Sequence, residues 1–242
     1  MPDPYFQVNV ISQTEKPQQA IYAAMHQDYS EEYVYGELAD WPDEEECGRL
    51  IVKYLLAGHR GHYGPLEHPQ ITFNVGWFPH STMQQMRTHR TGVSFDVQSG
   101  RYTCQRIVDA ANGDRAVDEV FYLRPIGPYS DRQGKRYEYT AEQRAEDLDW
   151  CLQGCQRYKK RIDQGFSEEH ARSFIPFDVR QHWVMSANAR SLMHLLDLRW
   201  KADAQLECQQ LCDLIWPHFK TWMPAIADWY EQNRAKKARL AP

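Results

Sequence analysis

The sequence lacks several features that would place it in common protein classes. It contains no run of about 18 apolar residues, so we expect no membrane-spanning helix. Its N-terminus does not show the basic and then apolar pattern of a secretory signal peptide. The net charge is -5 and the isoelectric point is near 6.1, whereas dedicated nucleic-acid binders usually carry a basic excess. These absences favour an acidic protein with a cytoplasmic location.

The cysteines also lack the pattern of a structural metal site. Cys151 and Cys155, like Cys208 and Cys212, are spaced four residues apart on predicted helices. Structural metal sites favour tighter Cys-x-x-Cys turns, and six cysteines without a signal peptide indicate reduced thiols. We therefore predict that these cysteines pack in the core and bind no metal, with a cysteine-ligated metal protein as the alternative.

Helical and strand patterns both occur, which predicts an α+β fold. Residues 71–77 alternate between apolar and polar side chains, and Pro69 and Pro79 bracket this predicted strand. Thr140 and Gln143 form a plausible capping box for a long helix to about residue 162. Further helices are predicted over 44–57 with Gly58 as the stop, 81–90, a short turn from Ser167 to before Pro176, 187–199, and 203–216 ending at Pro217. No repeat or linker is visible, so we predict a single domain, 1–242, with a small sheet packed by several helices and a solvated tail from Arg234.

Charge is distributed unevenly along the chain. Residues 31–46 carry eight acidic side chains and no basic one, and the default interpretation is a solvated helix face. Arginines are concentrated in the stretches 87–106 and 172–199. Two local arginine clusters in an acidic chain suit a discrete anionic ligand, such as a small phosphorylated molecule, better than a long polyanion.

The most informative segment runs from Arg87 to Tyr102. Its guanidinium groups suit phosphate, Ser99 adds a hydroxyl, and Gly100 permits close approach of a ligand to the backbone. Thr88-His89-Arg90, with eight residues before Ser99-Gly100-Arg101-Tyr102, resembles the Arg-His-Arg, seven residues, Ser signature of the flavin-dependent thymidylate synthases. The first Arg of that signature is displaced to Arg87, and the loop is one residue longer.

Two further segments strengthen this resemblance. His62-Tyr63-Gly64-Pro65-Leu66-Glu67-His68 is similar to the His-x-x-Pro-x-Glu-His loop of the same family. The stretch from Asn188 to Arg199 resembles its Asn-Ala-Arg-Ser helix, although His194 stands where Asn is common and Asp203 where His is common. The resemblance covers about 60–216. No Pro-Cys dipeptide of the flavin-free thymidylate synthases occurs, nor any Gly-x-Gly-x-x-Gly turn for a Rossmann-bound flavin.

The resemblance implies an enzyme that methylates dUMP to dTMP. It would use methylenetetrahydrofolate as carbon donor, reduced FAD as hydride donor and NADPH as reductant. Arg199 would be catalytic, by stabilising negative charge on the N3/O2 edge of the uracil. The implied cofactor-binding residues are Gly64, Arg87, His89, Arg90, Asn188, Ala189, Arg190 and His194. The implied substrate-binding residues are Gln84, Gln85, Arg87, Gln98, Ser99, Gly100, Arg101, Arg172 and Arg199.

The resemblance also implies a homotetramer with active sites between subunits, in which 62–68 would serve a neighbouring subunit's flavin. The alternative from another class is a single-stranded nucleic-acid-binding module. Its support is the interleaving of arginines with aromatic residues between 95 and 139, because aromatic rings stack on bases. Net acidity and three ordered family matches argue against it, so we expect no nucleic-acid partner.

Overall fold

The computed structural model describes residues 3–57, 62–131 and 133–237. The chain divides into two compact units, which are described separately. Unit 1 comprises Met1–Gln7, Val75–Met86 and Asp96–Trp183, and unit 2 comprises Val8–Asn74, Arg87–Phe95 and Val184–Pro242. Among the described residues, no helix combines the length and the apolar character needed to cross a bilayer.

Helices and strands are mixed along the chain, as the sequence predicts. The strands are β1 Gln7–Gln13, β2 Gln70–Pro79, β3 Val93–Val97, β4 Gly127–Ser130, β5 Arg136–Tyr139 and β6 Arg180–Asn188. The helices are α1 Pro17–Gln27, α2 Glu44–Ile51, α3 His80–Met86, α4 Gln105–Asn112, α5 Val117–Val120, α6 Ala141–Asp163, α7 Glu168–Ala171, α8 Ala189–Arg199, α9 Leu206–Trp222 and α10 Pro224–Asn233.

The described strands form two small sheets. The four-stranded sheet has the order β1-β2-β6-β3, which places β2 and β6 in its interior. The second sheet is the antiparallel pair β4 and β5, in which Tyr129 lies opposite Tyr137. This hairpin and the helices α4 and α5 lie between residues 105 and 139, where no helix or strand had been predicted from the sequence.

Several local predictions are confirmed. The predicted strand over 71–77 is β2, which extends to Pro79. The capping box is present, because the Thr140 side chain accepts from the Gln143 amide and Gln143 Oε1 accepts from the Thr140 amide. The helix over 44–57 begins as α2 and ends as a π-helical turn, Val52–Leu56, while Gly58 lies outside the described residues. Ser167 caps α7, and a 3-10 turn ends before Pro176.

Other predicted boundaries are wrong. The helix predicted over 81–90 is α3, which ends at Met86. The helix predicted to begin at 187 begins at Ala189, because β6 runs to Asn188 and Asn188 serves as the N-cap. The helix predicted to end at Pro217 continues as α9 to Trp222. A proline inside a helix costs about 3 kcal/mol. Pro217 is exposed, and the flanking buried aromatic residues of α9 offset that cost.

Arg234 at the start of the tail and Glu44 of the acidic stretch are less solvated than predicted. Arg234 is buried and contacts Asp197, which in turn accepts a hydrogen bond from Tyr230 Oη at 2.9 Å. Arg234 is therefore not solvated, whereas Lys236 and Lys237 are exposed as predicted, and residues 238–242 lie outside the described part of the chain. In the acidic stretch, the Glu44 carboxylate accepts from the backbone amides of Gln18 and Gln19 at 2.7 and 2.9 Å, so it caps the first turn of α1. The neighbouring acidic residues are largely exposed, as expected.

The predicted core packing of the four helical cysteines is confirmed. Cys151 and Cys155 are buried in a core cluster of unit 1, and Cys208 and Cys212 are buried in α9 of unit 2. Burial raises the pKa of Cys151 to about 11 and that of Cys208 to about 12, so both thiols stay protonated. A protonated thiol is a poor nucleophile. These residues therefore behave as small apolar side chains.

Candidate active site

The predicted substrate-binding segment 98–101 lies in unit 1, between β3 and α4. Its backbone is fixed by hydrogen bonds to His182 of β6 and to the two residues that precede α4. The Gln98 amide donates to the His182 carbonyl at 3.0 Å. The Ser99 carbonyl accepts from Thr103 Oγ1 at 2.9 Å, and the Gly100 carbonyl accepts from Cys104 Sγ at 3.0 Å. The segment is therefore a defined turn that leads into α4.

Arginine side chains surround this segment within unit 1. Arg101 pairs with the exposed Glu169, with Nη1 and Oε1 at 3.0 Å. Arg172 lies beside Gly100, because a Cβ added at that glycine would be 3.7 Å from Arg172 Cδ. Arg172 is exposed, and no carboxylate of the described residues pairs with it. The fold thus brings together Gly100, Arg101 and Arg172 and leaves at least one cation available to an anion.

The two predicted glutamines lie on the short helix α3 of unit 1. Gln84 is exposed, and its Nε2 lies 2.8 Å from His80 Nε2. Gln85 is partly buried. The ring of His80 makes an edge contact with Phe177, with centroids 5.1 Å apart. Gln84 is therefore oriented by its own helix rather than by the 98–101 segment.

In unit 2, the N-terminus of α8 is joined to the residue pair Thr91-Gly92. Asn188 Oδ1 accepts from the Ser191 amide at 2.8 Å, and Ser191 Oγ donates to the Thr91 carbonyl at 2.7 Å. The Asn188 amide donates to the Gly92 carbonyl at 3.1 Å. Gly92 has φ +65°, and an added Cβ would lie 2.2 Å from Asn188 Nδ2. Glycine is required here on both counts. The predicted cofactor residues Asn188 and Ala189 are thereby fixed against the signature loop.

In the same unit, His89 contacts both Arg199 and His194. It is buried, and its Nε2 accepts from Arg199 Nε at 3.1 Å, so the neutral ring carries its proton on Nδ1. Burial, followed by the charge of Arg199 and then His194, lowers the pKa of His89 to about 4. The rings of His89 and His194 meet edge to face with centroids 5.6 Å apart. Arg199 also donates from Nη2 to Thr88 Oγ1 at 2.8 Å. The fold thus brings the predicted catalytic Arg199 to two predicted cofactor residues.

The loop that contains Gly64 also approaches α8 within unit 2. It forms a 3-10 turn, Gly64–Glu67, and Glu67 Oε1 lies 2.6 Å from Arg190 Nη1. Gly64 is exposed, and nothing lies within 4 Å of the position that its Cβ would take. Two predicted cofactor segments from distant parts of the sequence therefore meet through one ion pair.

An aromatic pocket of about 560 Å³ opens beside this loop. His62 and Pro65 of the loop line it, together with residues of α1 and the chain that follows it and of the α2 region, among them Tyr22, Tyr29 and Tyr54. Sequence reasoning missed this pocket and also missed Gly92. Apart from His62 and Pro65 of the His-x-x-Pro-x-Glu-His loop, the pocket residues are spread over distant segments and belong to no motif. Gly92 was visible inside the signature, but its need for a left-handed conformation was not.

The remaining predicted residues of unit 2, Arg87 and Arg90, are exposed. No carboxylate in the described part of the chain pairs with either of them. Within residues 3–57, 62–131 and 133–237, no group of three His, Cys, Asp or Glu side chains could hold a metal ion.

Comparison with known proteins decides the family. The sequence model of the thymidylate synthase complementing protein family, Thy1, matches residues 9–225. This chain belongs to that family. The protein is 34% identical to the flavin-dependent thymidylate synthase of Haloarcula marismortui, over 97% of this chain and 99% of that relative. The flavin-dependent thymidylate synthase of Halobacterium salinarum is 31% identical, again over 97% of this chain and 99% of that relative.

The resemblance inferred from the sequence is thus confirmed, and the single-stranded nucleic-acid-binding module is not supported by these relatives. A solved structure supports the fold. The UMP/dUMP methylase PolB from Streptomyces cacaoi, bound with 5-Br dUMP, aligns with a TM-score of 0.75 over 98% of this chain and 97% of that chain. Its sequence identity is 20%, so the likeness speaks for a shared fold.

Proposed function

We propose that this chain is a flavin-dependent thymidylate synthase that methylates dUMP to dTMP. Methylenetetrahydrofolate is the carbon donor, reduced FAD the hydride donor and NADPH the reductant. The observation that carries this proposal is the 34% identity to a flavin-dependent thymidylate synthase along almost the whole of both chains. We further propose that residues 1–242 act as a single functional domain of a cytoplasmic enzyme.

The unit 1 cluster suits the nucleotide dUMP. Arg172 is exposed without a carboxylate, and the Arg101–Glu169 pair is exposed enough to exchange partners with a phosphate. A guanidinium group binds phosphate through two parallel hydrogen bonds. Ser99 adds a hydroxyl, and Gly100 adds a stretch of backbone without a side chain beside Arg172. These residues, with Gln84, Gln85 and Gln98, are proposed to bind dUMP.

The unit 2 residues fit a flavin. FAD combines an anionic pyrophosphate with flat aromatic rings, and unit 2 offers exposed arginines and a pocket lined by tyrosines. The open position at Gly64 leaves space beside that pocket. We assign FAD to Gly64, Arg87, His89, Arg90, Asn188, Ala189, Arg190 and His194, with Tyr22, Tyr29 and Tyr54 as further candidates for ring contacts. When bound, FAD supplies the hydride for the reaction.

Arg199 is proposed to assist the chemistry electrostatically. Arginine keeps its proton at neutral pH and therefore cannot act as a base. It can stabilise negative charge that develops on the N3/O2 edge of uracil. The bonds to neutral His89 and to Thr88 fix the orientation of the guanidinium. A preorganised cation of this kind needs little rearrangement when charge develops.

The visible absorption spectrum of the purified protein, before and after dUMP is added, tests the proposed function. We expect flavin bands that shift when dUMP binds, because the proposed reaction passes a hydride from the flavin to the nucleotide. Turnover of dUMP to dTMP with NADPH and methylenetetrahydrofolate then completes the assignment. A colourless protein that also fails to take up added FAD would refute it.

The assembly is proposed to be a homotetramer, in which residues 62–68 contact a neighbouring subunit's flavin. The exposed tyrosines Tyr33 and Tyr35 next to the acidic stretch leave apolar surface for such contacts. Light scattering of the active enzyme tests this assembly. A mass of 28.5 kDa in an active sample would contradict the tetramer without touching the proposed reaction.

A further inference from the structure

Arg106 of α4 is a half-buried cation in unit 1 that has no role in the proposed reaction as described above. Its Nη2 donates to Gln98 Oε1 at 3.0 Å. Its Nε and Nη1 are buried, and neither has a hydrogen-bond partner among the described residues. Burial lowers the pKa of Arg106, with a further contribution from the charge of Arg115. No described carboxylate forms an ion pair with this guanidinium.

Such a placement is costly for folding. A guanidinium that leaves water without a counter-ion loses solvation that one hydrogen bond to a neutral amide does not restore. An apolar residue such as methionine would fill a similar volume without that cost. A polar group kept in a costly position is often explained by function rather than by stability.

The side-chain hydrogen bond of Arg106 is made to Gln98, the first residue of the substrate-binding segment 98–101. The Gln98 backbone is already held by His182, and Ser99 and Gly100 are held by residues just before α4. Arg106 fixes the Gln98 side chain as well, through its hydrogen bond to Oε1. Because the Gln98 carbonyl oxygen faces Arg106, the amide nitrogen is turned to the other side of the side chain.

We propose that Arg106 is a positioning residue for the nucleotide-binding segment 98–101, acting through the side chain of Gln98. The proposal rests on the proposed function in one respect, namely that the ligand of this segment is dUMP. A hydrogen bond from a charged donor is stronger than one between neutral groups. It keeps the segment ordered before the ligand arrives, so binding does not have to supply that order.

A double-mutant cycle on the purified full-length chain tests this role. The variants are Arg106→Met, Gln98→Leu and the double variant, and the measurement is the dissociation constant of dUMP by titration calorimetry. Loss of one charge-assisted hydrogen bond corresponds to about tenfold weaker binding. We expect each single variant to bind about tenfold more weakly or worse, and the double variant to bind no more weakly than the weaker single variant.

Arg161→Met is the matched control. Arg161 lies in the same unit, is half-buried, has a buried Nε without a described partner, and donates from Nη1 to the Gln164 side chain at 2.8 Å. Its glutamine is outside the substrate segment, so Arg161→Met should leave dUMP binding unchanged at similar thermal stability. Arg106→Lys, which keeps the charge, should recover part of the lost affinity.

Losses that add up in the double variant, or wild-type affinity in Arg106→Met, would overturn the proposal. If the wild-type protein binds no dUMP, the proposed function fails, and the positioning role is then decided by a crystal structure of Arg106→Met. Displacement of the Gln98 side chain and of the 98–101 backbone supports the role. An unchanged segment refutes it.

Discussion

Replacement of Gly92 by alanine tests how the signature loop is joined to α8. Gly92 has φ +65°, and an added Cβ would lie 2.2 Å from Asn188 Nδ2 and 2.3 Å from Ser191 Oγ. The left-handed conformation costs a non-glycine residue about 1 kcal/mol. Forcing the Asn188 cap open costs about 1 kcal/mol more, and breaking the Ser191 hydrogen bond to Thr91 about the same. We expect a loss of about 3 kcal/mol in the free energy of unfolding.

Gly113→Ala separates backbone strain from the clash. Gly113 follows α4 with φ +82°, and nothing lies within 4 Å of its added Cβ. This variant should lose about 1 kcal/mol, from the backbone term alone. Urea unfolding at fixed protein concentration measures both variants, and equal slopes allow their midpoints to be compared. The difference of about 2 kcal/mol is the contribution of the cap and its hydroxyl bond.

The functional part of the same prediction concerns flavin uptake. Because Asn188 is one of the proposed FAD-binding residues, Gly92→Ala should weaken uptake of added FAD, whereas Gly113→Ala should not. Equal destabilisation of the two variants, together with normal FAD uptake by Gly92→Ala, would refute the reasoning. It would mean that the loop relaxes away from α8 at no cost.

Three further predictions follow from unit 2. Arg199→Ala should lower turnover by about 100- to 1000-fold with flavin binding intact, and near-normal steady-state rates would exclude the electrostatic role. Burial lowers the pKa of His89 from 6.5 to about 4, so between these pH values the unfolded chain binds a proton on His89 that the folded protein does not bind. Stability should therefore fall as pH drops from 6.5 towards 4, and less so in His89→Gln, as urea unfolding at several pH values can verify. Asp197→Ala should cost about 3–5 kcal/mol in thermal or urea unfolding because Arg234 stays buried without its carboxylate. Glu231→Gln, at an exposed pair, should change stability by less than about 1 kcal/mol.

Local signals along the chain predicted the elements that local energetics decide. The capping box at Thr140 and Gln143 was readable because both partners lie within one helical turn. The β2 strand was readable because its side chains alternate. The boundary at Asn188 and the extension past Pro217 were not, since strand pairing and the packing of buried aromatic residues override local preference there. The buried Arg234 was missed for the same reason, because its partner Asp197 lies 37 residues away.

For the candidate site, the sequence by itself determined the family and the residue types, because the arginines, Ser99 and the α8 motif occur in this chain in the order of the family's motifs. Only the tertiary structure decided which of them meet. It alone brought Arg199 onto a neutral His89, joined Glu67 to Arg190, opened the aromatic pocket and placed Arg106 behind Gln98. Each of these contacts joins segments that are separated in the chain or depends on burial. Hydrogen-bond distance and burial depend on how the chain is packed in space, and a linear pattern does not record them.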